Sequence, residues 1–162
     1  MELKLAIRNA KQADLKNMVL LSAIKRENYE KINPIFWRKA ENANAIQQEW
    51  FSSLLNDEQY ICMVCEINSE IVGFVIGKLI EAPAVYAPSG LTLMIDDFCV
   101  NQDEAWTIVG AELLSNILVA AKEKGAAQTL VVCGEHDKGK RNFLESNQLM
   151  ATSVWYTGEI QK

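Results

Sequence analysis

A chain of 162 residues is long enough for one domain with a sizeable core, and we predict a single domain over residues 1–162. Hydrophobic residues make up 49% of the chain and charged residues 23%, which excludes a disordered or fibrous protein. The net charge of −5, without any lysine or arginine block, argues against nucleic acid or an anionic membrane as a partner.

The amino-terminal stretch MELKLAIRNAKQADL alternates apolar and charged residues, unlike the apolar core of a signal peptide. Each apolar run is shorter than the roughly 18 residues of a membrane span. The four cysteines lie in apolar, strand-like runs, where a reduced thiol behaves as a small hydrophobic group: Cys62, Cys65, Cys99 and Cys133. We therefore expect a cytoplasmic protein. Since residues three apart in a strand face opposite sides, we expect no metal site at CMVC.

The first third of the chain predicts a strand followed by helices. Residues 3–10, LKLAIRNA, alternate as a strand does, and residues 11–32 have apolar side chains at helical spacing with Asp14 as a candidate N-cap. Pro34 interrupts that pattern, and residues 41–59 predict another helix. Its buried face would carry Ile46, Trp50, Phe51 and Leu54.

The middle of the chain predicts a β-hairpin, because the β-rich runs YICMVCEI and IVGFVIGKLI flank the short polar turn NSE. EAPAVYAPSG is a loop by its prolines and glycine, and LTLMIDDFCV is a largely apolar strand. AWTIVGAELLSNILVAAKEKG then predicts a helix that ends at Gly125.

The last elements are a buried strand, QTLVVCG, a short helix over residues 136–149 with Asp137 as a possible cap, and a final strand, MATSVWYTGEI. Because a helix joins LTLMIDDFCV to QTLVVCG, these two strands should be parallel. The element order predicts a mixed sheet with helices on its faces and a ligand beyond the carboxyl ends of the parallel pair.

This order and its component segments resemble the GCN5-related N-acetyltransferase (GNAT) family over nearly the whole chain. The resemblance is carried by CEINSEIVGFVIGKL, IDDFCV, NQDEAWTIVGAELLSNILVAAKEKG and TLVVCGEHDKGKRNFLESNQLMATSVWY. It implies an α/β (α+β) fold with a mixed, mostly antiparallel sheet, helices on both faces, and fourth and fifth strands that are parallel and splay apart. It also implies an enzyme that binds acetyl-CoA in that gap and transfers the acetyl group to an amine.

By the same resemblance, the strand backbone at Phe98, Cys99 and Val100 would hydrogen-bond the pantetheine arm, and the following turn would hold the pyrophosphate. Amides at a helix N-terminus point outward and carry partial positive charge, which suits an anion. The residues of this predicted cradle are Ala105, Trp106, Thr107, Ile108, Val109, Gly110 and Ala111.

The turn departs from the family pattern of Arg or Gln, two residues, Gly, one residue, and Gly or Ala. Only Gly110 matches, while Ala105 replaces the basic or amide residue and Ile108 the middle glycine. Lysine and arginine are absent between residues 78 and 122, where several carboxylates lie. Basic residues of the last helix could reach the phosphates or simply solvate that helix: Lys138, Lys140 and Arg141.

The resemblance also implies a carboxylate general base on the fourth strand, where Asp96 and Asp97 are adjacent. Since successive strand side chains face opposite ways, we predict Asp97 as the base, although it could instead hold backbone amides of a neighbouring loop. Acidic surroundings favour a cationic amine as acceptor, and Asp96, Trp37 and Tyr86 are the predicted substrate contacts.

The general acid is harder to assign, because the family's Phe-Tyr pair is replaced by Phe143 and Leu144. His136, Cys133 and Tyr156 are the nearby substitutes. We predict His136, since histidine titrates near neutrality, with a surface or capping role as the alternative.

Two functions follow. The first is an acyl-CoA-dependent N-acyltransferase for a small cationic or peptide amine. The second is a non-catalytic module of the same fold that binds a ligand or protein, and the bulky Trp106 and Ile108 favour it. An exposed edge strand, such as the terminal MATSVWYTGEI, could pair two chains into a homodimer, but such an edge can equally be covered or short.

Overall fold

A computed structural model describes residues 4–161, so Leu3 of the first predicted strand and the outermost ends of the predicted domain lie outside the described residues. The elements are β1 Leu5–Asn9, α1 Leu15–Ile32, α2 Ala43–Leu54, β2 Tyr60–Ile67, β3 Glu70–Ile80, β4 Leu91–Val100, α3 Val109–Glu123, β5 Ala126–Val131 and α4 Lys138–Ser146. Short 3-10 helices, Gln12–Asp14 and Asp103–Thr107, precede α1 and α3. None of the described helices is long and apolar enough to cross a membrane.

The five strands form one sheet in the order β1-β2-β3-β4-β5, antiparallel apart from the parallel pair β4-β5. α1 and α2 bury Leu15, Met18 and Phe51 against one face, whereas α3 and α4 bury Leu113 and Phe143 against the other. The predicted fold class is therefore confirmed.

The predicted hairpin is confirmed as β2 and β3, with a two-residue turn at Asn68 and Ser69. Both residues have positive φ, 51° and 71°, as the right-handed twist of a tight hairpin requires. The hairpin places β3 beside β4 along the whole length of β4, from Ile80↔Thr92 to Gly73↔Val100.

β4 and β5 pair over only part of β4. Their register ends at Ile95↔Val131, after which the amide of Val132 donates to the carbonyl of Ile95 at 2.9 Å. β4 then continues to Val100, and a bulge at Asp96 interrupts its pairing with β3. We call the space beside residues 96–100 of β4 the β4/β5 gap.

The predicted final strand is wrong, because residues 149–161 form no strand and most are exposed. Gln148 takes a positive φ of 65° after α4, and the chain then passes Phe36, whose ring lies 6.4 Å from that of Trp155. An alternating pattern forms a strand only where a neighbouring strand supplies its hydrogen bonds. This segment lacks such a neighbour in the described structure.

One local prediction for the first helices is wrong and another holds only in part. Ile46 and Trp50 are 57% and 50% exposed, because α2 is rotated so that Phe51 packs on Phe74 at 5.6 Å. Asp14 occupies the N-cap position of α1, as predicted, but its carboxylate makes no capping bond to that helix and accepts two hydrogen bonds from Arg8, at 2.7 and 2.9 Å.

Candidate active site

Trp106 lies in the 3-10 helix just before α3, where the sequence predicts a phosphate cradle. Its indole is 6% exposed, stacks on Phe143 at 5.1 Å and meets the edge of Phe98 at 4.9 Å. A Cβ added to Gly110 would lie 2.6 Å from the indole Cε3 atom. In this structure, the glycine therefore makes room for Trp106.

The other residues of the predicted cradle differ in exposure. Val109 is buried, Ala105 and Ala111 are half-buried, and Thr107 and Ile108 are exposed. Since Ile108 is 64% exposed, it does not fill the mouth of the helix. The helix also begins at Val109 rather than at Ala105, because Asp103–Thr107 form a separate 3-10 helix.

A carboxylate lies close to this mouth. A Cβ added to Gly139 in the first turn of α4 would be 3.1 Å from the Asp103 Cγ atom. The Asp137 side chain caps α4 by accepting from the Lys140 amide at 3.2 Å. Two acidic side chains thus meet the start of α4, where partial positive charge favours them.

Lys140 is buried on the apolar side of β4. Its side chain is 1% exposed, and its Nζ atom donates to the carbonyl of Val132 at 3.0 Å and to that of Phe98 at 3.4 Å. Burial, together with the positive charge of Lys25, lowers the pKa of Lys140 to about 8.

This burial is not among the sequence predictions, because Lys140 is treated there like Lys138 and Arg141, as a phosphate contact or a solvated side chain. Its spacing held the signal, since it precedes Phe143 and Leu144 by three and four residues and so lies on their face of α4. Lys138 is exposed, and Arg141 pairs with Glu135 at 3.4 Å.

The opposite side of β4 presents Asp97 to α1. Its Oδ1 atom lies 3.8 Å from Lys25 Nζ, and the two side chains are 22% and 24% exposed. Burial raises the pKa of Asp97, and the charge of Lys25 opposes that rise. Burial disfavours the charged form of Lys25, but Cys99, Asp97 and Asp96 outweigh it and raise its pKa. Asp96 itself is exposed at the bulge.

An aromatic cluster adjoins the turn between β5 and α4. The ring of Tyr29 lies 4.7 Å from those of Trp37 and His136, which are 5.3 Å apart. The Tyr29 hydroxyl donates to Asp137 Oδ2 at 2.9 Å and accepts from the Gly134 amide at 3.4 Å. Burial and Asp137 raise the pKa of Tyr29 well above its usual value.

The structure thus brings the predicted residues Trp37 and His136 together, and it adds Tyr29, which sequence reasoning missed. The signal for Tyr29 was its spacing on α1, one turn after Lys25 and two turns after the buried Ser22. The Lys25 Nζ atom lies 5.7 Å from the centre of the Tyr29 ring, which links the cluster to the ion pair with Asp97.

Two other predicted residues lie apart from this region. Tyr86 is 70% exposed and lines a shallow cleft with Pro88 and Gly125 at the start of β4, the opposite end of that strand from the gap. Tyr156 is 95% exposed in the terminal segment. The Cys133 thiol is nearer the gap, 3.5 Å from the carbonyl of Gly134, and burial raises its pKa.

The β4/β5 gap can hold an extended ligand chain along residues 98–100, because β4 continues there after β5 has ended. The side chain of Phe98 packs in the core layer of α3, and that of Cys99 packs in the core layer of α1. The backbone of these residues therefore lies between the two layers. The carbonyl of Phe98 is already engaged, because it accepts a hydrogen bond from Lys140 Nζ at 3.4 Å. The free edge of β4 beside residues 98–100 therefore suits an extended chain such as the pantetheine arm of CoA, whereas the indole of Trp106 packs at the position where the sequence predicts the diphosphate.

With this geometry in place, the sequence can be assigned: a family model described as "Acetyltransferase (GNAT) family" matches residues 22–148, and the chain belongs to that family. No curated protein matches the sequence.

Solved structures show the same fold at low sequence identity. A mutant of the BH1408 protein from Bacillus halodurans superposes with a TM-score of 0.83 at 16% identity, covering 96% of this chain and 99% of that one. Aminoglycoside N-acetyltransferase AAC(6')-Iy in complex with CoA gives 0.73 at 10% identity, covering 100% and 98%. A predicted acetyltransferase with acetyl-CoA from Clostridium acetobutylicum gives 0.71 at 16% identity, covering 96% of each chain.

Proposed function

We propose that the protein is an N-acyltransferase that moves the acetyl group of acetyl-CoA to the amine of a small cationic molecule or a peptide. The observation that carries this proposal is the β4/β5 gap, which has a carboxylate of raised pKa, Asp97, on its α1 side. Family membership and the structural similarity to acetyltransferases that hold CoA or acetyl-CoA support it.

The donor would bind along β4. The backbone of Phe98, Cys99 and Val100 would hold the pantetheine arm, and the amides of residues 105–111 would face the diphosphate. Because the carboxylate of Asp103 lies close to this mouth and Trp106 is packed into it, we expect weaker coenzyme binding than a glycine-rich, basic turn would give. Acetyl-CoA supplies a thioester, whose carbonyl carbon accepts the amine.

The acceptor would approach from the α1 side. Asp97 would take a proton from the ammonium of the acceptor, and a cationic acceptor would compete with Lys25 for this carboxylate. The rings of Tyr29, Trp37 and His136 offer faces for an ammonium, and the exposed Asp96 adds negative charge at the entrance.

The second candidate is a non-catalytic module that binds a ligand or protein partner through the same cleft. The buried indole of Trp106 favours it, because it fills the mouth of α3 with apolar contacts.

Thermal melting with acetyl-CoA and an acetyl-transfer assay over a panel of amines separate the two candidates. A ligand that binds only the folded protein at 100 times its dissociation constant adds about 2.7 kcal/mol to the unfolding free energy. The transferase predicts a higher melting temperature and labelled amide product. An unchanged melting temperature at millimolar acetyl-CoA, with no product, would favour the binding module.

We also propose a cytoplasmic homodimer. All four cysteines are free, as a reducing compartment maintains them, and the terminal segment exposes Trp155 and Ile160, at 79% and 97%, as an apolar surface for a second copy. Sedimentation of the full chain and of a chain ending at Leu149 tests the dimer. If both the full chain and the shortened chain sediment as monomers, the homodimer is contradicted.

A further inference from the structure

The ammonium of Lys140 lies where β4 and β5 separate. It bridges the carbonyl of Phe98 on β4 and that of Val132 just after β5, at 3.4 and 3.0 Å. The rings of Phe98 and Trp106 lie 5.6 and 5.8 Å from Nζ. The side chain therefore fixes a cation inside the β4/β5 gap.

This placement is unusual for a lysine that only contributes packing. Fully buried lysines are rare unless they are paired, and none of the ion pairs within residues 4–161 includes Lys140. An ammonium has three N–H donors, of which the two carbonyls engage two. A group carrying negative charge in the gap would find a donor already positioned.

We propose that Lys140 is the catalytic acid that protonates the departing thiolate, an assignment that rests on the proposed function. Phe143 and Leu144 have no proton to give, and they are buried in the apolar core. His136 packs against Tyr29 and Trp37, on the α1 side from which the acceptor would approach. Lys140, one turn before Phe143 on the same face of α4, is the titratable group that reaches both strands of the gap.

The step balances without any further reactant. The nitrogen of the neutral amine forms a bond to the carbonyl carbon of the thioester, and the carbon–sulfur bond breaks with its electron pair going to sulfur. Sulfur takes a proton from Lys140 Nζ and leaves as the thiol. Before the attack, Asp97 passes the first proton of the acceptor ammonium on to solvent. After the attack it takes the extra proton of the nitrogen, and this second proton returns to Lys140 through solvent.

The acidity of Lys140 suits this role. Burial and the nearby charge of Lys25 lower its pKa to about 8, close to the roughly 8.5 of an ordinary thiol. Proton transfer is efficient when donor and acceptor have similar pKa values near the working pH. Near pH 7 the lysine remains mostly protonated, as an acid must.

The kinetic test compares wild type with Lys140→Met and Lys140→Arg over pH 6 to 10, using acetyl-CoA and an accepted amine. Methionine keeps the apolar stem, and arginine keeps the charge but does not release its proton in this range. We expect kcat/KM to fall by about 100-fold or more in both variants, with loss of the decline near pH 8. Lys122→Met, on the exposed end of α3, is the matched control and should keep the wild-type profile.

A second readout does not depend on turnover. With lysines carrying 13C at Cε, the NMR resonance absent from Lys140→Met should titrate near pH 8 in the free protein. CoA should shift it, and desulfo-CoA, which lacks the thiol, should not, because the proposed contact is with sulfur. Titration above pH 10, or equal shifts with both ligands, would overturn the assignment.

The role of Lys140 and the proposed acetyl transfer can be disproved separately. Acetyl transfer by wild type that persists at the same rate in Lys140→Met, or returns in Lys140→Arg, overturns the role of Lys140 and leaves the transferase standing. If wild type transfers no acetyl group to any amine of the panel, both proposals fall.

Discussion

The two sides of β4 at the β4/β5 gap carry opposite chemistry. Towards α3 and α4, the strand meets an apolar layer of Phe98, Trp106 and Phe143 that encloses the ammonium of Lys140, which has no carboxylate partner among residues 4–161. Towards α1, it meets the partly exposed ion pair of Lys25 with Asp97. One side thus lowers the pKa of a lysine, and the other raises the pKa of an aspartate.

This difference shows how one strand can separate an acid from a base. Burial disfavours charge on both groups, so it moves the pKa of lysine down and that of aspartate up, which brings both towards neutrality. In an acyl transfer, the base is needed on the acceptor side and the acid on the thiol side. The following predictions test this division, from the largest expected effect to the smallest.

Asp97→Asn tests the α1 side. We expect kcat/KM for acetyl transfer to fall by about 10²- to 10⁴-fold, because the amide cannot accept the proton of the acceptor. Steady-state kinetics measure this effect. Glu123→Gln, at the exposed end of α3, is the control and should keep the wild-type rate. A wild-type rate in Asp97→Asn would remove this residue from the mechanism.

Trp106→Ala tests the apolar side. Loss of a buried aromatic side chain should lower the free energy of unfolding by about 3–5 kcal/mol. The opened mouth of α3 should at the same time bind CoA more tightly, provided that the indole obstructs the diphosphate. Urea denaturation and calorimetric titration measure the two effects. Weaker binding by the folded variant would show that the indole supports the coenzyme rather than excluding it.

Gly110→Ala tests whether this glycine makes room for the Trp106 indole. The added methyl would meet the indole at 2.6 Å, so we expect a destabilisation of about 1–3 kcal/mol in the wild-type background. In the Trp106→Ala background the same change should be nearly neutral, because its neighbour is gone. A double-mutant cycle by urea denaturation measures the coupling. Equal effects in both backgrounds would mean that the glycine serves another purpose.

Lys25→Met links the two sides. Its charge lowers the pKa of both Asp97 and Lys140, so its removal should raise both. The base is active when deprotonated and the acid when protonated, so both limbs of the pH profile of kcat/KM should move to higher pH. Lys16→Met, exposed on the same helix, is the control. If both limbs of the pH profile stay at their wild-type pH, the charge of Lys25 does not influence Asp97 and Lys140 across β4 as we predict.

The sequence was sufficient for the five strands that form the sheet, but it also predicted a sixth strand that is absent from the described residues, and it was insufficient for part of the site. Alternation and turn residues located the hairpin and β4, because these depend on local pattern and on Asn68 at a positive φ. The final strand failed because pairing depends on a neighbour that local pattern does not specify. The burial of Lys140 was not predicted, because a lysine side chain is ordinarily expected in solvent. Its position on the same helix face as the buried Phe143 determines that it is buried instead.

The ligand region could be predicted only in part for a similar reason. The resemblance placed a coenzyme beside Phe98 and Val100, and β4 does extend past β5 there. The sequence also raised the doubt about Trp106, but only the structure shows that its indole packs inward while Ile108 points outward. Tyr29 escaped notice because its partners, Gly134 and Asp137, lie more than a hundred residues away in sequence.

The most direct test of the account is an NMR titration of the wild-type protein with CoA, following assigned backbone amides. We predict saturable shifts for Phe98, Cys99, Val100 and Gly110, at the gap and at the mouth of α3. Unmoved amides at millimolar CoA, or shifts confined to the cleft beside Tyr86, would contradict a coenzyme site between β4 and β5.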